Sequence, residues 1–391
     1  MLIIFLVTFI GLMGFGIILP LFPFYAERLG ASPEIITLTM AVFSLGQFIA
    51  SPFWGRLSDS IGRKKVLIIS LIGSTISYVM LAFAETLTMV IISRVLSGLM
   101  AGNISIAFAY VADITDEENR SAGLGKVSAA LGLGFMTGPA IGGFLAGNDV
   151  ENANYVLTAL SGAAINVIAL IGAIIFLKES LPDKDRKSMD GLFKIFKKET
   201  FKPGKKIVFF ALCGLFFYSG MSLMEAIFPL WANQIFMYGP THIGSVFFML
   251  GLISVIIQGG LIGPLTKLFG EIKLIQLAAV FMMIGLSLIG SAISVLTLWI
   301  GLFFYGCGAA MFNPSLSSLV SKSANANEKG LFLGQYQSAC AFGRILGPTF
   351  SGILFSQIST SAPLYTGAML GIPVIVLITI FALRRKNEGI E

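Results

Sequence analysis

The chain is 391 residues long, 56% hydrophobic and only 12% charged, with 26 Lys and Arg against 20 Asp and Glu for a net charge of +6. Soluble domains carry about 25% charged residues, so this composition points to a membrane protein and leaves no room for a large water-soluble domain. The excess of basic residues lies in short turns between apolar runs, a distribution that argues against a nucleic-acid partner.

Apolar runs broken by polar turns place spanning helices at 2–24, 36–56, 65–84, 87–112, 122–146, 154–178, 207–234, 241–266, 272–292, 295–320, 330–356 and 362–383. Each is close to the about 20 apolar residues that a bilayer-crossing helix requires. The expected fold is an all-α membrane protein of twelve transmembrane helices. The opening MLIIFLVTFI has neither the basic region nor the small-residue cleavage site of a signal peptide, and reads as the first span. An even number of spans puts both termini on one side. If that side is the cytoplasm, all Lys and Arg except Arg28, Arg94 and Arg344 fall in cytoplasmic segments, as the positive-inside rule requires. The expected location is the cell membrane, with both termini cytoplasmic.

Between the second and third spans runs GRLSDSIGRKK, Gly55 to Lys65. Lipid cannot hydrate such a charged stretch, so it marks a membrane surface. Gly55 and Gly62 would permit a tight turn there. Residues 179–206 form the one long polar segment, with Lys184, Arg186, Lys187, Lys197, Lys198, Lys205 and Lys206. It divides the chain into 1–178 and 207–391, and LFKIFKKETF within it reads either as a short amphipathic helix on the inner leaflet or as a solvated linker.

The two halves repeat. Gly55, Leu57, Gly62 and Lys65 recur 208 residues on as Gly263, Leu265, Gly270 and Lys273, whereas Asp59 becomes Lys267 and Arg63 becomes Glu271. Gly125, Gly134, Gly138, Pro139 and Gly143 recur 209 residues on as Gly334, Gly343, Gly347, Pro348 and Gly352, and Pro20 recurs as Pro229. Two pseudo-symmetric six-helix bundles are therefore expected, the arrangement of transporters built from parallel repeats.

Polar side chains inside the spans are expensive and so are the candidates for function. Glu225, in GMSLMEAIFPL, is the one acidic residue placed within the membrane interior. A carboxyl held away from water is suited to carry a proton or to attract a cation. Arg94 lies inside the fourth span and Arg344 inside the eleventh; Arg344 reads either as an anion seat or as the neutralising partner of Glu225. Gly134, Gly138 and Gly142 fall four apart on one helix face, a groove that lets another helix approach closely, and Pro139 can kink that helix. Asn103, Tyr110, Tyr218, Trp231, Asn313, Gln335, Tyr336 and Gln337 are candidate cavity-lining residues. The cysteines Cys213, Cys307 and Cys340 lie far apart in apolar runs, and His242 stands alone at a helix end. No metal site, cofactor or nucleophile–base pair is expected, and so no enzyme.

The pattern Gly-x-Leu-x-Asp-x-x-Gly-Arg-Lys, beginning at Gly55, resembles the second-to-third-helix signature of the major facilitator superfamily. Arg94, Gly98 and Gly102 resemble its fourth-helix motif, which implies a part for Arg94 in proton coupling or substrate positioning. Gly-x-x-x-Gly-Pro-x-x-Gly-Gly, from Gly134 to Gly143, resembles the motif of its exporting antiporters. That implies outward transport, with the motif at the interface between bundles. With GFGIILPLFPFY and AYVADITDEENR, the chain looks like the drug:proton antiporter branch that includes tetracycline exporters. Those exporters carry acidic residues where this chain has Gly11 and Ser77, and a histidine where it has Ser254, which argues against tetracycline as cargo. A glutamate at the position of Glu225 resembles multidrug exporters of Gram-positive bacteria. Asp59, Arg63, Asp113 and Arg120 are expected to form an inner gate with Gly55 and Gly62.

The function expected is proton-coupled export of hydrophobic small molecules, cationic ones among them, by alternating access in a monomer within the bilayer. The alternative is transport of an endogenous amphiphile or organic anion, with Arg94 and Arg344 as anion sites.

Overall fold

The computed structural model describes residues 1–101, 103–182, 205–323 and 329–387, and among them all regular structure is helical. In chain order the elements are α1 (Leu2–Ile18), α2 (Phe22–Arg28), α3 (Pro33–Ile61), α4 (Arg63–Ala82), α5 (Leu87–Met100), α6 (Asn103–Ile114), α7 (Glu117–Ala146), α8 (Tyr155–Phe176), α9 (Lys205–Phe236) and α10 (Pro240–Ile256). A π-helical turn, Ile257–Leu261, leads into α11 (Ile262–Gly290), followed by α12 (Val295–Ser323), α13 (Lys329–Gln357), α14 (Ala362–Met369) and α15 (Gly371–Asn387). The uniformity has a simple cause: backbone polar groups in lipid find no water, and a helix satisfies them within itself. Exposed Ile76, Ile168, Ile175 and Leu268 suit a hydrocarbon solvent.

Ten stretches of the described residues are long and apolar enough to cross a membrane. Three of them, Leu2–Arg28, Leu87–Ile114 and Ala362–Arg384, join a pair of helices each, α1 with α2, α5 with α6 and α14 with α15. Pro240–Gly290 runs 51 residues, more than twice the about 20 that one span needs, and it turns inside α11 at Gly270, where φ is 75° and ψ 161°. α13 has 29 residues but carries Gln335, Gln337 and Arg344, and it is not among the ten. The count of twelve thus rests on dividing one stretch at Gly270 and admitting the polar α13.

The tight turn expected between spans ending at 56 and beginning at 65 is tighter still in the structure. α3 continues to Ile61 and α4 begins at Arg63, so Gly62 alone breaks the helix, with φ 104° and ψ 151°. Gly55 sits within α3 with nothing within 4 Å of where a Cβ would stand. Only Gly62 needs glycine's access to positive φ. Gly270, its repeat equivalent, adopts nearly the same backbone state.

The chain divides into two compact units, one of Met1–Ser32, Val42–Glu199 and Tyr238–Gly251, the other of Pro33–Ala41, Thr200–Met237 and Leu252–Glu391. Each unit thus takes one short segment from the opposite half of the sequence, which a division into 1–178 and 207–391 does not foresee. The amphipathic helix considered at 192–201 lies outside the described residues.

Each unit is built on the same seam. A Cβ on Gly134 would stand 2.7 Å from the Phe9 carbonyl oxygen, and one on Gly138 2.6 Å from that of Met13, so α7 lies directly on the α1 backbone. Gly142 continues the seam against the Ile17 carbonyl. In the other unit Gly343 stands against the Leu215 carbonyl oxygen, 2.6 Å from a built Cβ, and Gly347 against the Leu223 nitrogen at 2.7 Å, which lays α13 on α9. Small residues at four-residue spacing replace side-chain bulk with backbone contact, which in lipid supplies packing that hydrophobicity cannot. Gly143 instead meets α10, where the Thr241 hydroxyl donates to its carbonyl at 2.8 Å. Its repeat equivalent Gly352 donates its N–H to the Thr37 hydroxyl of α3 at 3.1 Å.

Candidate functional site

Three polar clusters interrupt this apolar frame. The first gathers around the break at Gly62. Arg63 pairs with Asp59 at 2.5 Å and with Asp113 at 3.0 Å, and its Nη1 donates to the Ser58 hydroxyl at 2.6 Å. Glu179, just past α8, accepts the backbone N–H of Arg63 at 2.8 Å and that of Lys64 at 3.2 Å. Its carboxylate thereby occupies the start of α4, where unpaired N–H groups favour negative charge. Ser180 donates to Asp113 at 3.0 Å. Arg63 is thus the hub joining α3, α4 and α6. The Arg120 side chain, expected in the same gate, lies outside the described residues. Sequence reading missed Glu179 and Ser180, because nothing about their spacing marks them as partners of a loop more than a hundred residues earlier.

The equivalent point of the other unit carries the same construction with the signs reversed. Glu271, the counterpart of Arg63, pairs with Lys322 of α12 and accepts from the Ser318 hydroxyl at 3.0 Å. Lys322 stands 209 residues after Asp113, so both members of the pair are exchanged.

The second cluster is sealed inside the first unit. Arg94 of α5 is 4% exposed, and its Nε and Nη2 have no hydrogen-bond partner. Its guanidinium lies 5.5 Å from the centre of the Phe22 ring. The charge acts on the phenol of Tyr78 in α4, with Ser97 and Asn166 of α8 beside it, and Asn166 Oδ1 is itself buried without a hydrogen-bond partner. Gly14 of α1 closes the cluster: a Cβ there would stand 3.3 Å from Asn166 Nδ2. No acidic side chain faces Arg94 among the described residues. Tyr78 and Asn166 were missed in the sequence, although a lone Asn in so apolar a run is a signal that could have found them.

The third cluster lies in the second unit and is exposed at Arg344, while Tyr218, Tyr336 and Cys340 are buried. Glu225 and Tyr218 stand seven residues apart on α9, two turns along one face. Tyr336, Cys340 and Arg344 follow at four-residue spacing on α13. Glu225 is half-buried and Arg344 is exposed, although both belong to membrane-crossing helices. The Arg344 guanidinium lies 4.7 Å over the Tyr218 ring. Its charge reaches Glu225, yet neither residue makes a hydrogen bond or ion pair with a described residue. The neutralising salt bridge weighed for this pair is therefore absent from this structure. Phe217 and Phe312 stack face to face, 3.6 Å between centroids and 3° between planes, and Phe312 meets Tyr218 edge-on at 6.3 Å.

The remaining candidates are dispersed. Tyr336 is fully buried, and its hydroxyl donates to Asn313 Oδ1 at 2.9 Å. Trp231, 1% exposed, donates to the Ser361 hydroxyl at 3.2 Å. Tyr110 belongs to the packed core of the first unit, and its hydroxyl donates to the Lys178 carbonyl at 2.8 Å. Gln335 is half-buried and Gln337 exposed. The Asn103 side chain lies outside the described residues. The three cysteines are buried and free, and no group of His, Cys, Asp or Glu among the described residues is arranged to hold a metal.

Comparison with known proteins adds four findings. The family model described as Major Facilitator Superfamily matches residues 4–348 and 210–390. Multidrug resistance protein 2 of Bacillus subtilis (strain 168) is 31% identical over 352 residues, 89% of this chain and 86% of that protein. Quinolone resistance protein NorA of Staphylococcus aureus (strain MRSA252) is 27% identical over 95% of this chain and 94% of its own length. Among solved structures, the human organic anion transporter MFSD10 (TETRAN) is similar with a TM-score of 0.72 at 24% identity, covering 96% of this chain and 98% of that one. At that identity the likeness speaks for the fold.

Proposed function

As the chain belongs to the major facilitator superfamily, a family of transporters and not of enzymes, we propose that it is a proton-coupled exporter of hydrophobic small molecules, cationic ones among them. The observation that carries this reading is Glu225: a carboxyl within a span, half-buried, with no hydrogen bond or ion pair to any described residue. A bare carboxylate without such partners is costly away from water, whereas the protonated form is not. The group therefore suits loading with a proton on one side of the membrane and release on the other, or exchange of that proton for a cation. The drug-resistance names of the relatives agree with export, as does the glycine seam from Gly134 to Gly143. Arg63, Asp59 and Asp113 serve as the cytoplasmic gate, and both termini face the cytoplasm.

The test is transport into inside-out proteoliposomes under an imposed pH gradient. Glu225→Gln should abolish uphill movement of a lipophilic cation, leaving only leak. Uphill transport at the wild-type rate would remove Glu225 from the coupling step.

A second reading, transport of an organic anion, is favoured by one observation. Arg94 holds two buried N–H groups without acceptors, and a compact anion would satisfy both. It predicts that anions, and not cations, are driven outward in the same vesicles.

A further inference from the structure

Tyr305 of α12 has no role in the scheme above, yet it stands at the turn of α9 that carries Glu225. It is 2% exposed, and its hydroxyl donates to the Met221 carbonyl at 3.3 Å, well beyond the about 2.7–2.8 Å usual for a bond between two oxygens. In an α-helix the carbonyl four residues back accepts a residue's N–H, so Met221 is the helical acceptor for Glu225. The phenol oxygen is therefore placed beside the Glu225 turn, and the two groups act on each other electrostatically. The ring is held there: a Cβ on Gly285 would meet the Tyr305 backbone nitrogen and the Gly301 carbonyl, so α12 lies directly on α11 at this point. The α9 side is looser, because Pro229 has no N–H to offer the Glu225 carbonyl four residues before it. Among the described residues, the charged or titratable groups that face Glu225 are Arg344 of α13, Tyr218 of its own helix and Tyr305. The helices α11, α14 and α15 also pack on α9 and supply none. Tyr218 is two turns away along α9, about 10 Å, with its ring face taken by the Arg344 guanidinium.

We propose that Tyr305 is a positioning residue for Glu225: once Glu225 has released its proton, the Tyr305 hydroxyl leaves the Met221 carbonyl and donates to the Glu225 carboxylate. The phenol keeps its own proton throughout, and the proton that moves is the one on the carboxyl. A hydrogen bond to a carboxylate is roughly twice as strong as one between neutral groups, whereas a protonated carboxyl exerts no such pull. The long bond to Met221 is then the resting place of a donor that is wanted only in the deprotonated state. With the donor in place the carboxylate is held in one orientation, and it is stabilised without a salt bridge that would cancel its attraction for a cation. The inference rests on the reading of Glu225 as the proton and cation site. It adds the group that sets the proton concentration at which that site changes over.

The test is the pH dependence of dye binding. The dye is rhodamine 6G, a permanent lipophilic cation, and its binding to the full-length protein in nanodiscs is read by fluorescence polarisation with empty nanodiscs subtracted. Wild-type affinity should rise with pH as Glu225 gives up its proton. Tyr305→Phe removes the donor from the carboxylate, so deprotonation needs a higher pH. The midpoint should move up by about one pH unit, a tenfold change in proton affinity, while the plateau at high pH does not fall. Replacing Tyr305 with 3-fluorotyrosine gives a stronger donor and should move the midpoint down. An unshifted midpoint in Tyr305→Phe overturns the proposal. So does a loss of affinity of the same size at every pH, the mark of a structural role, or a midpoint moved by Tyr218→Phe and not by Tyr305→Phe. Melting temperature and elution profile identify a Tyr305→Phe protein that has failed to fold. The fluorinated protein then decides, and a midpoint at or above the wild-type value there overturns the proposal. Glu225→Gln separates the two levels. A profile flattened by Glu225→Gln but unshifted by Tyr305→Phe removes Tyr305 alone, whereas pH dependence kept in full in Glu225→Gln removes the Glu225 reading and the role of Tyr305 with it.

Discussion

The two polar clusters inside the spans solve opposite problems. The one around Arg94 is closed: a guanidinium 4% exposed, engaged with Tyr78 and Phe22, with donors left over. The one around Glu225 and Arg344 is partly open: a half-buried acid and an exposed base, neither with a hydrogen bond or ion pair to a described residue. A buried charge without a counter-ion costs several kcal/mol, so the first cluster spends stability and must return it as function. The exposed charge of Arg344 costs little, whereas Glu225 is half-buried without a partner among the described residues, so the second cluster is left to take partners from outside. Closed polarity suits a device that changes state once per cycle, and open polarity suits a site that meets cargo.

The largest expected effect comes from removing the closed charge. Arg94→Met keeps much of the volume and deletes the uncompensated guanidinium. Thermal unfolding in nanodiscs should show equal or greater stability, by as much as about 1–4 kcal/mol, while transport falls at least about tenfold. Loss of both together would mean that Arg94 is a structural brace and that the contrast with the open cluster is false. Next in size is the aromatic support of Arg344. Tyr218→Ala should weaken dye binding by about 0.5–2 kcal/mol, the range of cation–π contacts, whereas Tyr218→Phe keeps the ring face and should stay within about twofold of the wild type. An equal defect in both would point to the hydroxyl and away from the ring. The smallest effect belongs to the inverted pair at the cytoplasmic turns. Lys322 has a side chain 64% exposed, so Lys322→Glu or Glu271→Lys alone should cost about 1 kcal/mol or less. The double exchange, which gives this unit the charge order of Arg63 and Asp113, should recover that loss in a double-mutant cycle. A double variant no better than the sum of the singles would show that the pair does not couple.

The inverted pair also shows how far a sequence can be read. The 208-residue repeat and the exchange of Arg63 for Glu271 are visible in the letters. Asp113 is expected beside Arg63 only through the family resemblance, and Lys322 is not expected at all, because each lies at the end of a different helix and meets its partner only when two helices are placed side by side. Glu179 illustrates the same limit: its carboxylate caps α4 from beyond α8. The ends of α3 and α4 differ from the expected 56 and 65 for another reason. Charge marks the membrane surface but does not end a helix, which continues into water wherever its residues allow it, and here only Gly62 stops it.

Membership of the helical membrane class, the internal repeat and the presence of one acid within the spans follow from composition and order alone. The bilayer imposes its demands on each segment separately: about 20 apolar residues, backbone satisfied within the helix, charges kept out unless used. Which polar groups share a site could not follow in the same way. A helix that is apolar on every side carries no stripe to reveal its rotation, so the approach of Arg94 to Tyr78 and Phe22, and the absence of a bond between Glu225 and Arg344, emerge only from helices locked against one another at their glycine seams.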